Sequence, residues 1–390
     1  MLYLHAIIGK MLKIGILGGG QLGRMLLQAS ANYSVQTHVL ESDPDCPAAH
    51  LCHSFTRGDI RNYDDVYQFG RGLDGLTIEI ESVNVEALEK LEAEGLKIYP
   101  RPSALRIIRN KALQKQFYRE HEIPSAPFHL TERREDLKKF TDFFPAVHKL
   151  ASGGYDGRGV QVLVSDKEIS LAFDQPSVLE KKVQIHKEIS QIVAINAAGQ
   201  TALYPPVEMI VHPTLNQLDY QISPAELPQQ TQWRVEAIAQ KVVRDLKTPG
   251  LFAVELFIDK NGDVLVNETA PRVHNSGHHT IKGNFSSQFD MLWRVMLGYP
   301  LGNTKHLLPS AMVNLIGAEG YSGPAVYEGI DEVLKMENVF LHLYGKKETR
   351  PGRKMGHATI LSSEKSDLVY KAKSIKQKLR IISEPSSVNI

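Results

Sequence analysis

Cysteine is scarce: the 390 residues contain only Cys46 and Cys52. Two cysteines cannot build a disulfide framework, and with no CxxC pair or Cys/His cluster they offer no zinc site. That usage fits a reducing cytoplasm. An excess of charge is also lacking, since 45 Lys and Arg stand against 44 Asp and Glu. A formal net charge of +1 removes the electrostatic case for a nucleic-acid or membrane-surface partner, while leaving room for a local basic pocket around a phosphate compound. No apolar run approaches the ~18 residues of a membrane span. Residues 1–10 are mildly apolar but lack the cationic start and small-residue cleavage site of a signal peptide. They are expected to be a tail, with Met11 an alternative start. No internal repeat or low-complexity segment is present.

What remains is an ordinary globular composition, long enough for two or three domains at ~100–200 residues each. The first third alternates strand and helix patterns: Lys13–Leu17, a helix over 21–31, Val35–Leu40, Leu76–Ile80, then a helix carrying Val85, Leu88 and Leu91. Such alternation implies parallel βαβ units in a doubly wound sheet. Tyr99-Pro100-Arg101-Pro102 is a stiff break. Beyond it a helical stretch covers 103–121, strands cover 145–150, 178–180 and 188–195, and a helix covers 231–246. A hairpin spans 251–269 and a helix covers 287–297. Mixed α/β pattern follows, ending in a basic helix around 366–378.

Five constellations could carry chemistry. Gly18-x-Gly20-x-x-Gly23 joins a strand to a helix, where glycine lets a phosphate approach the helix N-terminus. Glu41 ends the next strand, where a ribose-binding acid would sit, so a nicotinamide dinucleotide fits on paper, as does a βα turn with another role. Ser152–Gly159 holds four glycines in a loop able to wrap phosphate oxygens, with Lys149 just upstream, and it is not a Walker A loop. In the hairpin, a two-residue type I′ turn at Asn261-Gly262 sets Lys260 opposite Asp263 and Glu255 opposite Glu268. Two carboxylates facing each other on a buried ribbon want a shared proton or a bridging cation, and all-oxygen ligands favour Mg²⁺ over zinc. Pro271–His279 packs a guanidinium, imidazoles, an amide and a hydroxyl as a phosphate or sugar pocket would. Arg350–His357 is a basic loop before a strand.

Together these residues resemble the ATP-grasp superfamily and, within it, the N5-carboxyaminoimidazole ribonucleotide synthetase family of purine biosynthesis. The matching segments are Ile16–Met25, Gly153–Gly159, Asn267–His278, Ser287-Gln288-Phe289 and Arg353–His357, within residues 12–362. The resemblance implies an α/β and α+β architecture. Residues 1–11 would be a tail, 12–100 a Rossmann-like pre-ATP-grasp domain, 101–305 an ATP-grasp domain with a mobile lid at about 125–190, and 306–390 a C-terminal domain. It implies ATP- and bicarbonate-dependent carboxylation of 5-aminoimidazole ribonucleotide through carboxyphosphate, with Mg²⁺ or Mn²⁺, in a cytoplasmic homodimer with no nucleic-acid or membrane partner.

By motif position, Lys111 and Lys149 would hold ATP phosphates beneath a lid of Gly154, Tyr155, Asp156, Gly157, Arg158, Gly159 and Val160. Glu180, Lys181, Lys182 and Val183 would line the adenine site, Glu188 would meet the ribose, and Asn267 would lie beside the nucleotide. Glu255 and Glu268 would hold the metal. Tyr155, Asp156, Arg158, Arg272, His274, Asn275, Ser276, Arg353 and Lys354 would serve the ribonucleotide and bicarbonate, with Gly20, Gln21, Leu22 and Glu79 or Glu81 on the same side. Two departures stand out: Val211, followed by His212, replaces a family histidine, and Ile78 and Ile80 replace the family's aromatic pattern around Glu79. Another ATP-grasp ligase of purine metabolism is the nearest alternative; an NAD-dependent oxidoreductase would leave the acidic hairpin and the Gly153–Gly159 loop without a role.

Overall fold

The computed structural model describes residues 11–154, 159–211 and 218–384. The N-terminal unit is a parallel five-stranded sheet of order β3-β2-β1-β4-β5, from β1 (Leu12–Leu17), β2 (Val35–Glu41), β3 (Ser54–Arg57), β4 (Gly75–Ile78) and β5 (Lys97–Ile98). Helix α1 (Gln21–Ser30) covers one face, and α2 (Tyr63–Gly70) with α3 (Val85–Ala93) covers the other. Burial on both faces explains why β1 and β4 read as continuous apolar runs.

Helices α4 (Pro102–Ile108) and α5 (Lys111–Glu120) lead into a four-stranded antiparallel sheet of order β6-β9-β7-β8. Its strands are β6 (Phe128–Thr131), β7 (Ala146–Leu150), β8 (Val160–Leu163) and β9 (Ser177–Lys181). The sheet ends at Lys181, and the next strand, from Ile185, already belongs to a larger sheet, so residues 185–190 are not part of the small sheet that the expected lid enclosed.

That larger, nine-stranded sheet begins with β10 (Ile185–Ile195), β11 (Thr201–Leu203), β12 (Val207–Val211) and β13 (Leu218–Ser223). Helix α6 (Gln229–Asp245) packs on it ahead of the hairpin β14 (Gly250–Asp259) and β15 (Val264–Ala270). Helices α7 (Thr280–Gly283) and α8 (Gln288–Leu297) precede β16 (Ser310–Ile316), which pairs with β13. The sheet therefore runs unbroken past residue 305, and residues 306–390 contribute strands to it. After β17 (Gly323–Glu328) and α9 (Ile330–Leu334) come β18 (Val339–Leu343), β19 (Glu348–Thr349), β20 (Lys354–Leu361), α10 (Lys365–Lys378) and β21 (Arg380–Ser383). Strands β20 and β18 complete the large sheet, and β19-β17-β21 form a small one.

Helix α8 fastens the N-terminal unit to the large sheet. Ser287 caps its start by accepting from Asp290 N, and buried Trp293 donates to Leu26 O of α1 at 2.7 Å. One apolar core then contains Met25, Leu26, Ile192, Leu251, Phe289 and Trp293. This fixes the C-terminal edge of β1 against the loop after β15. Among the described residues no helix is long and apolar enough to cross a membrane.

Candidate active site

The acidic hairpin sits at the centre. Its turn is not the two-residue Asn261-Gly262 type that the sequence suggests. Asp259 N donates to Asp263 O and Gly262 N to Asp259 O, so Lys260, Asn261 and Gly262 form a three-residue loop, with Gly262 at φ +86°. The Asp259 carboxylate holds this loop by accepting from Asn261 N and Asp263 N. Lys260 therefore does not face Asp263. The register nearer the turn pairs Leu256 with Val266, but a bulge at Asn267 restores Glu255 opposite Glu268. A regular strand sends neighbouring residues to opposite faces; the bulge lets Asn267 and Glu268 both serve one side.

Two lysines meet these acids. Asn110 caps α5 by accepting from Ala112 N and Leu113 N, which sets Lys111 in the first turn and Lys115 one turn later on the same face. Such a cap is worth about 1 kcal/mol. Tyr118 of α5 bonds Thr269 of β15 at 2.8 Å, tying the helix to the acidic strand. Lys111 Nζ lies 2.5 Å from Glu268 Oε2. Lys149 Nζ, from β7, lies 3.0 Å from Asn267 Oδ1 and 3.1 Å from Glu180. Lys115, buried and not singled out from the sequence, lies 3.3 Å from Glu180.

The electrostatics follow from this crowding. Burial, then the charges of Glu268 and Glu188, push the Glu255 carboxyl above the usual range. The Lys111 ammonium chiefly pulls Glu268 below it. Burial also raises Glu188, and it lowers Lys115 to about 8. For Glu180 burial works upward, but Lys149 and Lys115 together bring it below normal. His274 Nε2 stands 3.7 Å from Glu255 Oε1, while its Nδ1 is 2.8 Å from Ser276 Oγ, itself 2.7 Å from Ser190 Oγ.

A second group lies where the loop after β15 reaches the N-terminal sheet. Arg272 Nε is 2.9 Å from Glu81 Oε1. Glu79, almost fully buried, accepts from Leu22 N at 3.1 Å and so occupies the start of α1. Burial pushes its carboxyl up to about 7, against the pull of Arg272. Glu41 accepts from Gly19 N at 3.1 Å. The protein's own carboxylates thus take the N–H groups that a dinucleotide phosphate would need, which argues against the nicotinamide reading. Gly20 is required by this arrangement, since a Cβ there would come 2.5 Å from Glu79 Oε1. Lys346, also missed in the sequence, donates to Gln21 Oε1 at 3.0 Å and to Lys354 O at 2.7 Å. Burial and neighbouring Arg353 lower it to about 8. Arg353 itself turns to Glu348 O, at 2.7 Å.

The segment from Lys181 to Gln184 lines a cavity of about 290 Å³ with Pro127 and the hairpin tip. Lys181 Nζ turns back to Phe143 O and Phe144 O, whereas Lys182 is exposed. The Gly153–Gly159 loop links β7 and β8, its base closed by Leu150 N to Gly159 O. Tyr155, Asp156, Gly157, Arg158 and His212 lie outside the described residues. A larger cavity, about 420 Å³ between Lys13, His38, Arg57 and Phe69, contains none of these site residues.

Comparison with known proteins agrees along the chain. Residues 11–109 match the ribonucleotide synthetase preATP-grasp domain, 116–289 the ATP-grasp domain, and 310–371 the phosphoribosylaminoimidazole carboxylase C-terminal domain. The N5-carboxyaminoimidazole ribonucleotide synthetase of Thermotoga maritima has a crystal structure similar to this chain with a TM-score of 0.88 at 38% identity, covering 96% of this chain and 100% of that one. The chain belongs to the N5-carboxyaminoimidazole ribonucleotide synthetase family. The synthase of Brucella melitensis is 37% identical over 357 residues, 89% of this chain and 95% of that protein. The Aspergillus clavatus synthase, solved with ADP and 5-aminoimidazole ribonucleotide, has a TM-score of 0.86 at 29% identity, covering 94% of this chain and 98% of that one. Other relatives are longer: the chain spans 65% of the chloroplastic phosphoribosylaminoimidazole carboxylase of Vigna aconitifolia and 36% of a bifunctional purine synthesis protein of Dictyostelium discoideum. As a member of this synthetase family, the chain is an ATP-grasp enzyme of purine biosynthesis.

Proposed function

We propose that this chain joins bicarbonate to the exocyclic amine of 5-aminoimidazole ribonucleotide, converting ATP to ADP and phosphate. The observation that carries this reading is the Glu255–Glu268 pair, with Lys111 and Lys149 on one side and His274 on the other. Phosphoryl transfer asks for alignment and charge neutralisation more than for a covalent nucleophile, and this is such a set.

The donors suit Mg²⁺ or Mn²⁺: two carboxylates, one held above its ordinary range by burial and its neighbour's charge, gain from a cation between them. Glu255 and Glu268 would hold that ion, which when bound offsets the charge of the nucleotide phosphates. Lys111 and Lys149 would take phosphate oxygens. Lys149 must then leave Glu180 and Asn267, while Lys115 stays to balance Glu180. The cavity beside Lys182 and Val183 would accept adenine, with Glu188 near the ribose. The glycine loop, including Gly154, Gly159 and Val160, would close over the phosphates.

A bicarbonate oxygen attacks the γ-phosphorus, ADP leaves, and carboxyphosphate forms. The amine nitrogen then bonds to the carboxyl carbon, phosphate departs, and the amine loses a proton. Glu79, near neutrality in its affinity for a proton, is suited to receive it. Gly20, Gln21, Leu22, Arg272, His274, Asn275, Ser276, Arg353 and Lys354 would surround the ribonucleotide, and Lys346 joins them on its bond to Gln21. Family resemblance supports a cytoplasmic homodimer. The test is phosphate release from MgATP and bicarbonate, with and without the ribonucleotide: release should depend on it, and release indifferent to it overturns the reading.

A further inference from the structure

The side chain of Gln288 enters none of these steps, yet it is fully buried beside them as the first residue of α8. Its carboxamide makes two bonds to the main chain of one residue. Oε1 accepts from His274 N at 2.9 Å, and Nε2 donates to His274 O at 2.7 Å. This double bond repeats the exchange between directly opposed residues of two antiparallel strands. It holds His274 extended, at φ −131° and ψ 156°, the conformation from which its ring reaches Ser276 and stands near Glu255. The surrounding loop is built around the same amide. Gly277 lies so close that a Cβ would overlap it, and His278 Nδ1 is 3.3 Å from Nε2. Gln288 N donates to Thr280 Oγ1 at 2.9 Å, closing the loop onto the helix. An apolar side chain of similar volume would fill this space, but it would leave both main-chain groups of His274 without these partners.

We infer that Gln288 is a positioning residue for the carboxylation, aiming the His274 imidazole at the acceptor side of the site by clamping both of its main-chain groups. The inference rests on the proposed function, and it concerns the acceptor half, to which that reading assigns His274.

Gln288→Met removes both bonds at similar volume. Gln288→Glu keeps two oxygens but regains a donor only when protonated. For both, KM for the ribonucleotide is expected to rise at least tenfold and kcat to fall, with ADP affinity within twofold of wild type. The Gln288→Glu defect should shrink as pH falls from 8 to 6, relative to wild type at each pH, because the protonated carboxyl again offers a donor and an acceptor. If Gln288→Met does not fold, Gln288→Glu decides. Unchanged ribonucleotide kinetics, or equal loss of ADP binding and turnover with no recovery at lower pH, would overturn the clamp. The ¹⁵N spectrum of the His274 ring, assigned with His274→Asn, is read independently of turnover: it should shift in either variant, and an unmoved ring contradicts the clamp. Wild type without ribonucleotide-dependent phosphate release would instead defeat the functional reading while leaving this spectrum to judge the clamp.

Discussion

Glu79→Gln should make the ligand-free protein more stable at alkaline pH while abolishing efficient turnover. The carboxyl is buried at the start of α1, where Leu22 N–H donates to Oε1, and burial raises it from 4.5 to about 7. The folded state therefore binds the proton more tightly than the unfolded chain, so its stabilising effect is present below pH 4.5 and is lost as pH rises through 7. The whole shift corresponds to about 3 kcal/mol, of which about 2.5 kcal/mol is lost between pH 5 and pH 8. Glutamine keeps an oxygen for Leu22 N–H and carries no titrating proton. Urea unfolding of both proteins at pH 5, 6, 7 and 8 measures the difference directly. The variant should gain on wild type by about 2–3 kcal/mol across that range. A difference independent of pH, or a variant that loses ground as pH rises, would refute the assigned environment of Glu79. Retention of full ribonucleotide-dependent turnover would remove it from the chemistry.

Three further outcomes are expected. Lys111→Met should leave the far-ultraviolet circular dichroism unchanged and lower phosphate release at least ~100-fold, because it removes the cation at Glu268; a loss below tenfold would contradict that role. Gly20→Ala should raise KM for the ribonucleotide and cost about 1–3 kcal/mol in urea unfolding, since its Cβ displaces the buried Glu79 carboxylate. His148 is fully buried and lowered to about 4 by burial, so the unfolded chain takes up its proton first as pH falls below 6.5. Wild type should therefore lose about 2 kcal/mol relative to His148→Gln between pH 7 and pH 5, and a pH-independent difference in urea unfolding would contradict the assignment.

Much of the site was legible because its signals are local. Strand–glycine–helix alternation predicts the parallel N-terminal sheet, and period-two burial around Asn261-Gly262 predicts the acidic hairpin. The facing of Glu255 and Glu268 emerged from two departures that cancel: the turn holds one residue more than the Asn-Gly rule implies, and the Asn267 bulge corrects the register. Neither leaves a clear mark in the sequence. Long-range contacts were not legible. Glu79, directly after β4, fills the start of α1, which a phosphate-binding reading of Gly18–Gly23 cannot anticipate. Lys115 looks like any helical lysine until α5 packs on β9 and brings it to Glu180. Its spacing of four from Lys111 was the available hint. Lys346 comes to Gln21 through the packing of the C-terminal segment on α1, and only its neighbouring lysine marked it as basic.

On the proposed function, the paired hairpin carboxylates hold a divalent cation against the nucleotide. Mn²⁺ binding in the presence of ADP, followed by electron paramagnetic resonance, addresses this most directly. Wild type should immobilise Mn²⁺ in an ADP-dependent manner, and the folded Glu255→Gln/Glu268→Gln double variant should lose that signal. Undiminished ADP-dependent Mn²⁺ binding by the double variant would contradict it.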